Sequence, residues 1–352
     1  MRSFVLLAAA ALATAQSADA PLFGQKFDKD TGGWIAFGAG ASVHPADGVL
    51  AIEYEIQAGR ITGAVLPAPA AFARMGRLRF RARSDHAGPL GVVLAEKMPG
   101  GGRYTAWVWM PAGAWQDVEL GPCDFVANDG PKDPVDADGR LDLDAIENVA
   151  LLDLAQFFGA AADPGSPVAV DRAAGKHILR IDDFELLAGA PPEEAPGTID
   201  RFRRSALQWV SPGGMELRRV AESPMGGPAM EVSYEPADDR FSVLVRRLRA
   251  ADLSHAARLQ FDIASEKETT LAVALEMQKP GAANGPRFHM TIFPPGDREV
   301  FHVSLKLADF EGPGKLDAAQ LKTLSLADVS AVAGGAVGRN TLWIANVRMV
   351  PE

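Results

Sequence analysis

The chain is poor in several residue types, and each shortage excludes a class of protein. Cys123 is the single cysteine among 352 residues, so no disulfide can form within the chain. The six histidines are scattered, and there is no Gly-x-Ser-x-Gly, His-Glu-x-x-His, P-loop or dinucleotide-binding glycine pattern. The formal net charge of −10 argues against a nucleic-acid partner, which requires a basic surface. The sequence therefore indicates neither a catalytic centre nor a nucleic-acid-binding protein.

The amino terminus lacks an apolar run long enough to cross a bilayer, but it has the pattern of a secretory signal. Arg2 supplies a positive charge, Phe4–Ala13 is apolar, and Ala13-Thr14-Ala15 has the small-x-small form of a cleavage site. We therefore predict a signal peptide over 1–15, cleaved after Ala15. The mature protein is expected to be periplasmic or extracellular, not embedded in a membrane.

Short segments of strictly alternating polarity dominate the rest of the chain. In Leu50–Ile56, Ile52, Tyr54 and Ile56 share one face and Ala51, Glu53 and Glu55 the other, while Arg77–Arg83 places its arginines opposite Leu78, Phe80 and Ala82. A period of two with one polar face predicts half-buried strands. The charges on these faces are also compatible with cross-strand pairing on an exposed sheet. The spacing of such segments predicts an all-β sandwich.

The plan of the first half recurs in the second half. Five ordered matches relate Arg77–Phe80 to Arg258–Phe261, Val92–Glu96 to Ala272–Glu276, Val118–Phe125 to Val303–Phe310, Leu141–Asp144 to Leu316–Ala319, and Ile181–Phe184 to Ile344–Val347. Between the halves, residues 188–198 are acidic and rich in proline. We predict two tandem β-sandwich domains, 22–187 and 199–350, joined by a Pro-rich linker over 188–198.

Three segments and one tryptophan have no predicted functional role. The basic runs Arg201–Arg204 and Arg246–Arg249 alternate with apolar residues, which is typical of solvated strand faces. Leu141–Leu154 has helical or mixed spacing, and Trp115, at the start of a strand, is expected in the core.

Several short motifs resemble those of the galactose-binding-domain-like β-sandwich. They are Trp34 after an acidic glycine turn, the Leu78-Arg-Phe strand, the aromatic strand before Trp115, the Asp124-Phe125 step and the closing Ile181–Leu186 strand. That group includes carbohydrate-binding modules and the domain of complex I intermediate-associated protein 30. The resemblance covers each half nearly end to end, and it implies a two-sheet jelly roll. It also implies a structural calcium in many members and a sugar-binding groove on the concave sheet in some.

A calcium site implied by the resemblance would use carboxylates of the acidic turn and of the last strand. In the first half these are Asp28, Asp30 and Asp183, and calcium prefers such oxygen ligands. The same acids are compatible with a solvated turn and an edge carboxylate. In the second half Arg201 and Arg203 occupy the turn, so a second calcium is not expected.

A sugar groove would need aromatic rings that stack on sugars and planar polar groups that bind hydroxyls. Trp107 and Trp109 share one side of a strand at about 7 Å spacing, while Tyr104, Ala106, Val108 and Met110 form the apolar side. We predict a groove formed by the two tryptophans, with Arg81, Arg83, Glu53 and Glu96 as polar partners. Alternatively, the tryptophans cover a sheet beneath a loop.

The sequence thus favours a non-catalytic, secreted or periplasmic protein that binds an oligo- or polysaccharide through the first domain. One alternative is an adaptor or assembly factor that binds other secreted proteins. A second alternative is a polysaccharide-active hydrolase or lyase with an unrecognised pair of acids, because 45 Asp and Glu residues offer many possible pairs.

Overall fold

The computed structural model describes residues 20–352 except 58–59, 162–167, 172–173, 192–194, 236–239, 250–252, 280, 282–283, 334 and 336–337. The predicted signal peptide over 1–15 lies outside the described residues. No helix in the described part of the chain is both long and apolar enough to span a membrane. Twenty-three strands are described, and they form four antiparallel sheets.

The first twelve strands form the first sandwich, and their bounds are β1 (Phe23–Gln25), β2 (Ile35–Phe37), β3 (Ser42–Ala46), β4 (Val49–Ile56), β5 (Gly63–Pro67), β6 (Arg77–Ser84), β7 (Gly88–Glu96), β8 (Arg103–Met110), β9 (Gln116–Leu120), β10 (Val126–Ala127), β11 (Ile146–Asp153) and β12 (Gly175–Leu187). Sheet 1A has the order β3-β4-β12-β6-β9, with β1 also paired to β12. Sheet 1B has the order β10-β8-β7-β11-β5-β2.

The second sandwich contains β13 (Thr198–Asp200), β14 (Trp209–Val210), β15 (Met215–Val220), β16 (Ala229–Tyr234), β17 (Val243–Arg247), β18 (Arg258–Ser265), β19 (Leu271–Met277), β20 (Arg287–Ile292), β21 (Phe301–Lys306), β22 (Leu321–Asp328) and β23 (Asn340–Val350). Sheet 2A has the order β15-β16-β23-β18-β21, with β13 paired to β23, and sheet 2B has the order β14-β17-β22-β19-β20.

The two sandwiches have the same topology, strand for strand. Every strand of the second sandwich occupies the position of a strand of the first, and among the described strands β10 alone has no counterpart. Two tandem jelly-roll β-sandwiches, the fold class predicted from the sequence, are therefore present. Among the residues that the structure describes, the helices are short: one α-helix (Ala155–Ala161) and four 3₁₀ turns (Ala70–Arg74, Pro122–Asp124, Leu307–Asp309 and Ala318–Gln320).

The last strand of each sandwich carries the same bulge. Asp183 in β12 and Asn346 in β23 have φ of 48° and 53°, and the register against the neighbouring strand shifts at both positions. Asp and Asn tolerate the left-handed conformation better than other residues with a Cβ, which accounts for their presence here. The bulge therefore belongs to the duplicated unit.

The alternating segments bury the faces that their patterns predict. Ile52, Leu78 and Phe80 lie in the core of the first sandwich, and Leu259 and Phe261 lie in the core of the second. The interpretation of Leu141–Leu154 as helical or mixed is wrong for Ile146–Asp153, which forms β11. This strand lies between β5 and β7 in the middle of sheet 1B. Where both faces of a strand are covered, its sequence need not alternate between apolar and polar residues.

The two sandwiches are packed together along the β8 edge of sheet 1B. The Trp109 side chain belongs to the core of the second sandwich and is 2% exposed. The backbone N–H of Trp109 donates to the backbone carbonyl of Leu207 at 2.8 Å. The buried Arg247 guanidinium donates to the carbonyls of Ala127 (2.6 Å) and Thr105 (3.3 Å), and it lies 5.2 Å from the Trp107 ring centroid.

Two ion pairs also join the sandwiches. Arg204 donates two hydrogen bonds to the Asp124 carboxylate at 2.9 and 2.7 Å, and Lys322 lies 2.8 Å from Asp129. The prediction that the two basic runs are solvated strand faces is therefore wrong for Arg204 and Arg247. Burial lowers the pKa of Arg247 to about 10, which leaves the guanidinium charged at neutral pH.

Trp109→Ala is expected to reduce the free energy of unfolding by about 3–5 kcal/mol, because it leaves a cavity between the sandwiches. Urea denaturation followed by tryptophan fluorescence measures the loss. Trp115→Ala serves as the control, because Trp115 lies outside both cores and is only half-buried. An equal loss in the two variants would contradict the assignment of Trp109 to the interface.

Arg247→Met is expected to reduce stability by at least about 2 kcal/mol, since buried carbonyls lose a charged donor. Arg218→Met should cost less than about 1 kcal/mol, because Arg218 pairs with Glu231 at the surface with its side chain 69% exposed. Chemical denaturation of both variants gives the comparison. A loss below that of Arg218→Met would show that Arg247 does not stabilise the interface.

Candidate functional site

The structure separates the residues that the sequence groups into one groove. Trp107, Trp109 and Glu96 belong to sheet 1B, whereas Glu53, Arg81 and Arg83 belong to sheet 1A. The two sheets of a sandwich pack about 10 Å apart with their outer faces directed away from each other. The six residues therefore do not line one surface.

The tryptophans point away from the first core, as the alternation predicts, but they do not form an open groove. Tyr104, Ala106, Val108 and Met110 are in the first core. On the other side, Trp109 is buried in the second sandwich, and Trp107 is held between Phe158, at 5.6 Å, and Arg247. The predicted role of Trp109 as an open sugar platform is wrong, because another domain covers this face.

Glu96 has a structural position at the end of β7. It is buried, and its carboxylate accepts hydrogen bonds from the N–H groups of Gly102 (2.7 Å) and Asp142 (2.6 Å). Burial raises the pKa of Glu96, while these two N–H groups lower it. The matching Glu276 accepts from the N–H of Gly285 at 3.0 Å. This glutamate therefore holds the loop after β7 or β19 in both sandwiches, and the prediction that it is a groove residue is wrong.

Glu53, Arg81 and Arg83 lie on the outer face of sheet 1A, where cross-strand pairs take up much of the charge. Arg81 is 3.8 Å from Asp117 and 3.7 Å from Asp182, and Arg79 is 2.5 Å from Glu185. Glu53 lies 3.9 Å from His44. This agrees with the alternative interpretation of these charges as pairs on an exposed sheet.

Trp115 lies beside Arg81 on the outer face of sheet 1A, so the prediction that it lies in the core is wrong. It is half-buried, belongs to neither core cluster, and has the Arg81 guanidinium 5.1 Å from its ring centroid. Its position at the turn between β8 and β9 gave no sequence signal, because the residue opens a strand without continuing the alternation.

An open groove of about 450 Å³ lies on the outer face of sheet 2A. We name it the 2A groove. The strands β18, β21 and β23 form its floor, and residues at the start of the second sandwich form its side. Its polar lining consists of Thr198, Arg201, Arg203, Gln260, Asp262, His302, Ser304, Asn346 and Arg348. The volume is within the range of about 300–1,000 Å³ of small-ligand sites.

Hydrogen bonds between neighbouring strands hold the planar groups of the groove. Asp262 Oδ1 lies 2.6 Å from His302 Nδ1. Asp262 Oδ2 accepts a hydrogen bond from the side-chain amide nitrogen of Asn346 at 2.7 Å. Arg348 Nε donates to the side-chain amide oxygen Oε1 of Gln260 at 3.1 Å. Each of these groups has more donors or acceptors than these bonds use, which leaves capacity for a ligand or for water.

The 2A groove carries an excess of positive charge in a chain of net charge −10. Arg201, Arg203 and Arg348 are cations, and Asp262 is the carboxylate of the lining. The charges differ at the corresponding positions of sheet 1A: the sign is reversed between Arg348 and Glu185 and between Asp262 and Arg81, and the neutral Gln260 matches Arg79. Ion pairs occupy these positions on the outer face of sheet 1A, whereas amide side chains and arginines line the same positions of sheet 2A.

An aromatic residue also lies on the outer face of sheet 2A. Trp343 in β23 is buried, with 7% of its surface exposed, but it does not belong to the second core cluster. It donates from Nε1 to Glu231 at 3.1 Å, and the Arg298 guanidinium lies 5.0 Å from its ring centroid. The Arg298 side chain that covers the ring is itself 60% exposed. Sequence comparison missed Trp343, because the matching residue in the first half is Arg180.

The predicted calcium ligands do not form a compact group. Asp28 and Asp30 are exposed in the turn after β1, where Asp30 accepts from the Gly32 N–H at 2.8 Å, and Asp183 lies at the β12 bulge. Among the described residues, the one group with three His, Cys, Asp or Glu ligand atoms within 4.8 Å is Asp85, His86 and His177. Calcium at Asp28, Asp30 and Asp183 stays a prediction.

Solved structures that match this chain include carbohydrate-binding modules. A family 11 module of a cellulosomal cellulase of Clostridium thermocellum is 20% identical, with a TM-score of 0.37, and the match covers 45% of this chain and 97% of the module. A tandem pair of family 22 modules from Xyn10C of Paenibacillus barcinonensis is 12% identical, with a TM-score of 0.30, and the match covers 96% of this chain and 99% of the pair.

No protein-family model matches the chain, and a comparison with curated proteins finds no match. The similarity to solved structures concerns the fold alone at these identities. The two tandem β-sandwich copies follow from the strand topology of this chain, and the resemblance to galactose-binding-domain-like sandwiches stays a prediction.

Proposed function

We propose that this protein is a non-catalytic carbohydrate-binding protein whose ligand occupies the 2A groove. The observation that carries the proposal is an open groove of about 450 Å³ lined by planar amide, carboxylate and guanidinium groups. Such groups form paired hydrogen bonds with the neighbouring hydroxyls of a sugar ring. The groove replaces the site predicted in the first sandwich, where the second sandwich covers Trp109.

The charge of the groove favours a glycan that carries carboxylate or sulfate groups. Three arginines oppose one carboxylate in the lining. A guanidinium presents a rigid fork of donors that matches an anionic oxygen pair. The ligand class is therefore an acidic oligo- or polysaccharide.

The remaining parts of the proposal concern chemistry and location. The sequence has no recognised catalytic motif, which favours binding without turnover. The signal-peptide pattern of residues 1–15 favours the periplasm or the extracellular space, where polysaccharides and other secreted proteins are the available partners.

Arg348→Met is expected to weaken binding to an acidic polysaccharide at least about tenfold, because one charged hydrogen bond contributes about 1.5–3 kcal/mol. Isothermal titration of the mature chain with polygalacturonate and alginate, with a neutral mixed-linkage β-glucan for comparison, measures the effect. Binding to the acidic polymers should weaken with added salt.

Arg79→Met provides the matched control, because Arg79 bonds a neighbouring strand on the equivalent face of the first sandwich. It should leave the affinity unchanged. Equal losses in the two variants, or tight binding of the neutral glucan alone, would contradict the acidic-glycan proposal. Absence of any glycan ligand together with a co-purifying secreted protein would favour the adaptor alternative.

We also propose that a structural calcium binds Asp28, Asp30 and Asp183, which requires the exposed turn with Asp28 and Asp30 to approach the β12 bulge. Calcium at about 100 times its Kd should add about 2.7 kcal/mol to the free energy of unfolding. Thermal melts in EGTA and after calcium is restored measure this change. Asp28→Asn should remove the calcium-dependent part. Identical melts in EGTA and calcium would exclude the site.

A further inference from the structure

A cluster of ionisable side chains lies at one end of the first sandwich, apart from the 2A groove. Asp85 and His86 form the turn between β6 and β7, and His177 lies in β12. Tyr54 is the register partner of His177 in β4, and Asp153 ends β11. Both sheets therefore contribute to the cluster.

Three possible ligand atoms converge in this cluster. The two Asp85 oxygens lie 3.1 Å from His86 Nδ1 and 3.4 Å from His177 Nδ1, and the two imidazole centroids are 4.2 Å apart. Two ligands about 2.1 Å from a tetrahedral zinc ion lie about 3.4 Å apart. The observed separations are thus close to the edge lengths of a zinc tetrahedron.

A buried carboxylate sets the orientation of His86 from the opposite side. Asp153 Oδ2 lies 2.8 Å from His86 Nε2 and accepts a hydrogen bond from Tyr54 at 3.0 Å, while Oδ1 accepts from the Ala155 N–H at 2.8 Å. A neutral His86 that donates from Nε2 to Asp153 directs the lone pair of Nδ1 at Asp85. Two acceptors that face each other require a cation between them, either a proton or a metal ion. A carboxylate behind the imidazole is the usual outer partner of a metal-binding histidine.

The second sandwich shows that the fold does not need the histidines. Tyr234 donates to Asp328 at 2.6 Å, and Asp328 accepts from the Ser330 N–H at 2.8 Å, which repeats the Tyr54–Asp153 arrangement. The positions of His86 and His177 are occupied by Lys267 and Asn340. Asn340 donates to Tyr234 at 3.2 Å and to Thr269 at 3.0 Å, so an amide completes the buried network there.

We propose that Asp85, His86 and His177 bind a divalent transition-metal ion, with zinc as the best match. Two imidazoles and a carboxylate are ligands typical of zinc, whereas calcium and magnesium prefer oxygen ligands throughout. Three protein ligands leave a fourth position to water or another ligand. The Asp85 side chain is 35% exposed, which gives the ion access from solvent.

The test uses the full mature chain without a histidine tag, after treatment with a chelator. One equivalent of Zn²⁺ should remain bound after gel filtration, as measured by mass spectrometry of the metal. Co²⁺ in its place should give the visible absorption of a tetrahedral site. His177→Asn, which installs the residue of the second sandwich, should weaken Zn²⁺ binding at least about tenfold.

His44→Asn is the matched control, because His44 also lies near a carboxylate, 3.9 Å from Glu53. It should retain full Zn²⁺ affinity. Circular dichroism melts check that the metal-free variants are folded, and Asp85→Ser, at an exposed turn, replaces His177→Asn if that variant does not fold. Failure of the folded wild-type chain to retain Zn²⁺ would overturn the proposal. So would unchanged affinity in His177→Asn or in the Asp85→Ser variant that replaces it.

Discussion

The burial of the β8 edge against the second sandwich determines which sheet faces of this protein are covered and which are exposed. Trp109 enters the second core, and Arg247 satisfies carbonyls of the first sandwich while it covers Trp107. A buried guanidinium is stable only where several acceptors surround it. This contact takes the most aromatic strand of the chain out of solvent and leaves the A sheets as the polar exposed faces.

The duplication preserved the backbone and exchanged the charges that it carries. The αL bulge, the Tyr–Asp bridge between sheets and the buried glutamate after β7 or β19 occur in both sandwiches. The outer face of sheet 1A is closed by ion pairs, whereas the 2A groove has arginines and amides. The end of the first sandwich has two histidines where the second has lysine and asparagine. The same scaffold thus offers different chemistry at each copy.

Much of the fold could be predicted from local patterns, and little of the site could. Alternation in Arg77–Arg83 and in the β8 strand assigned the inner and outer faces correctly, because a side-chain period of two is a property of the strand itself. The same alternation could not show that Trp109 is covered, since the covering residues lie about a hundred positions away. Gln260, Asp262 and Asn346 likewise meet only because β18 pairs with β23.

The sequence by itself determined the class of fold and the number of copies, since strand periodicity and internal repetition are encoded locally. Tertiary structure alone decided which faces are open. The basic run at Arg246–Arg249 and the tryptophans of Arg103–Trp115 each resemble surface features in isolation, yet Arg247 and Trp107 contact each other at the interface. Exposure depends on what packs against a residue, and that is a property of the assembled chain.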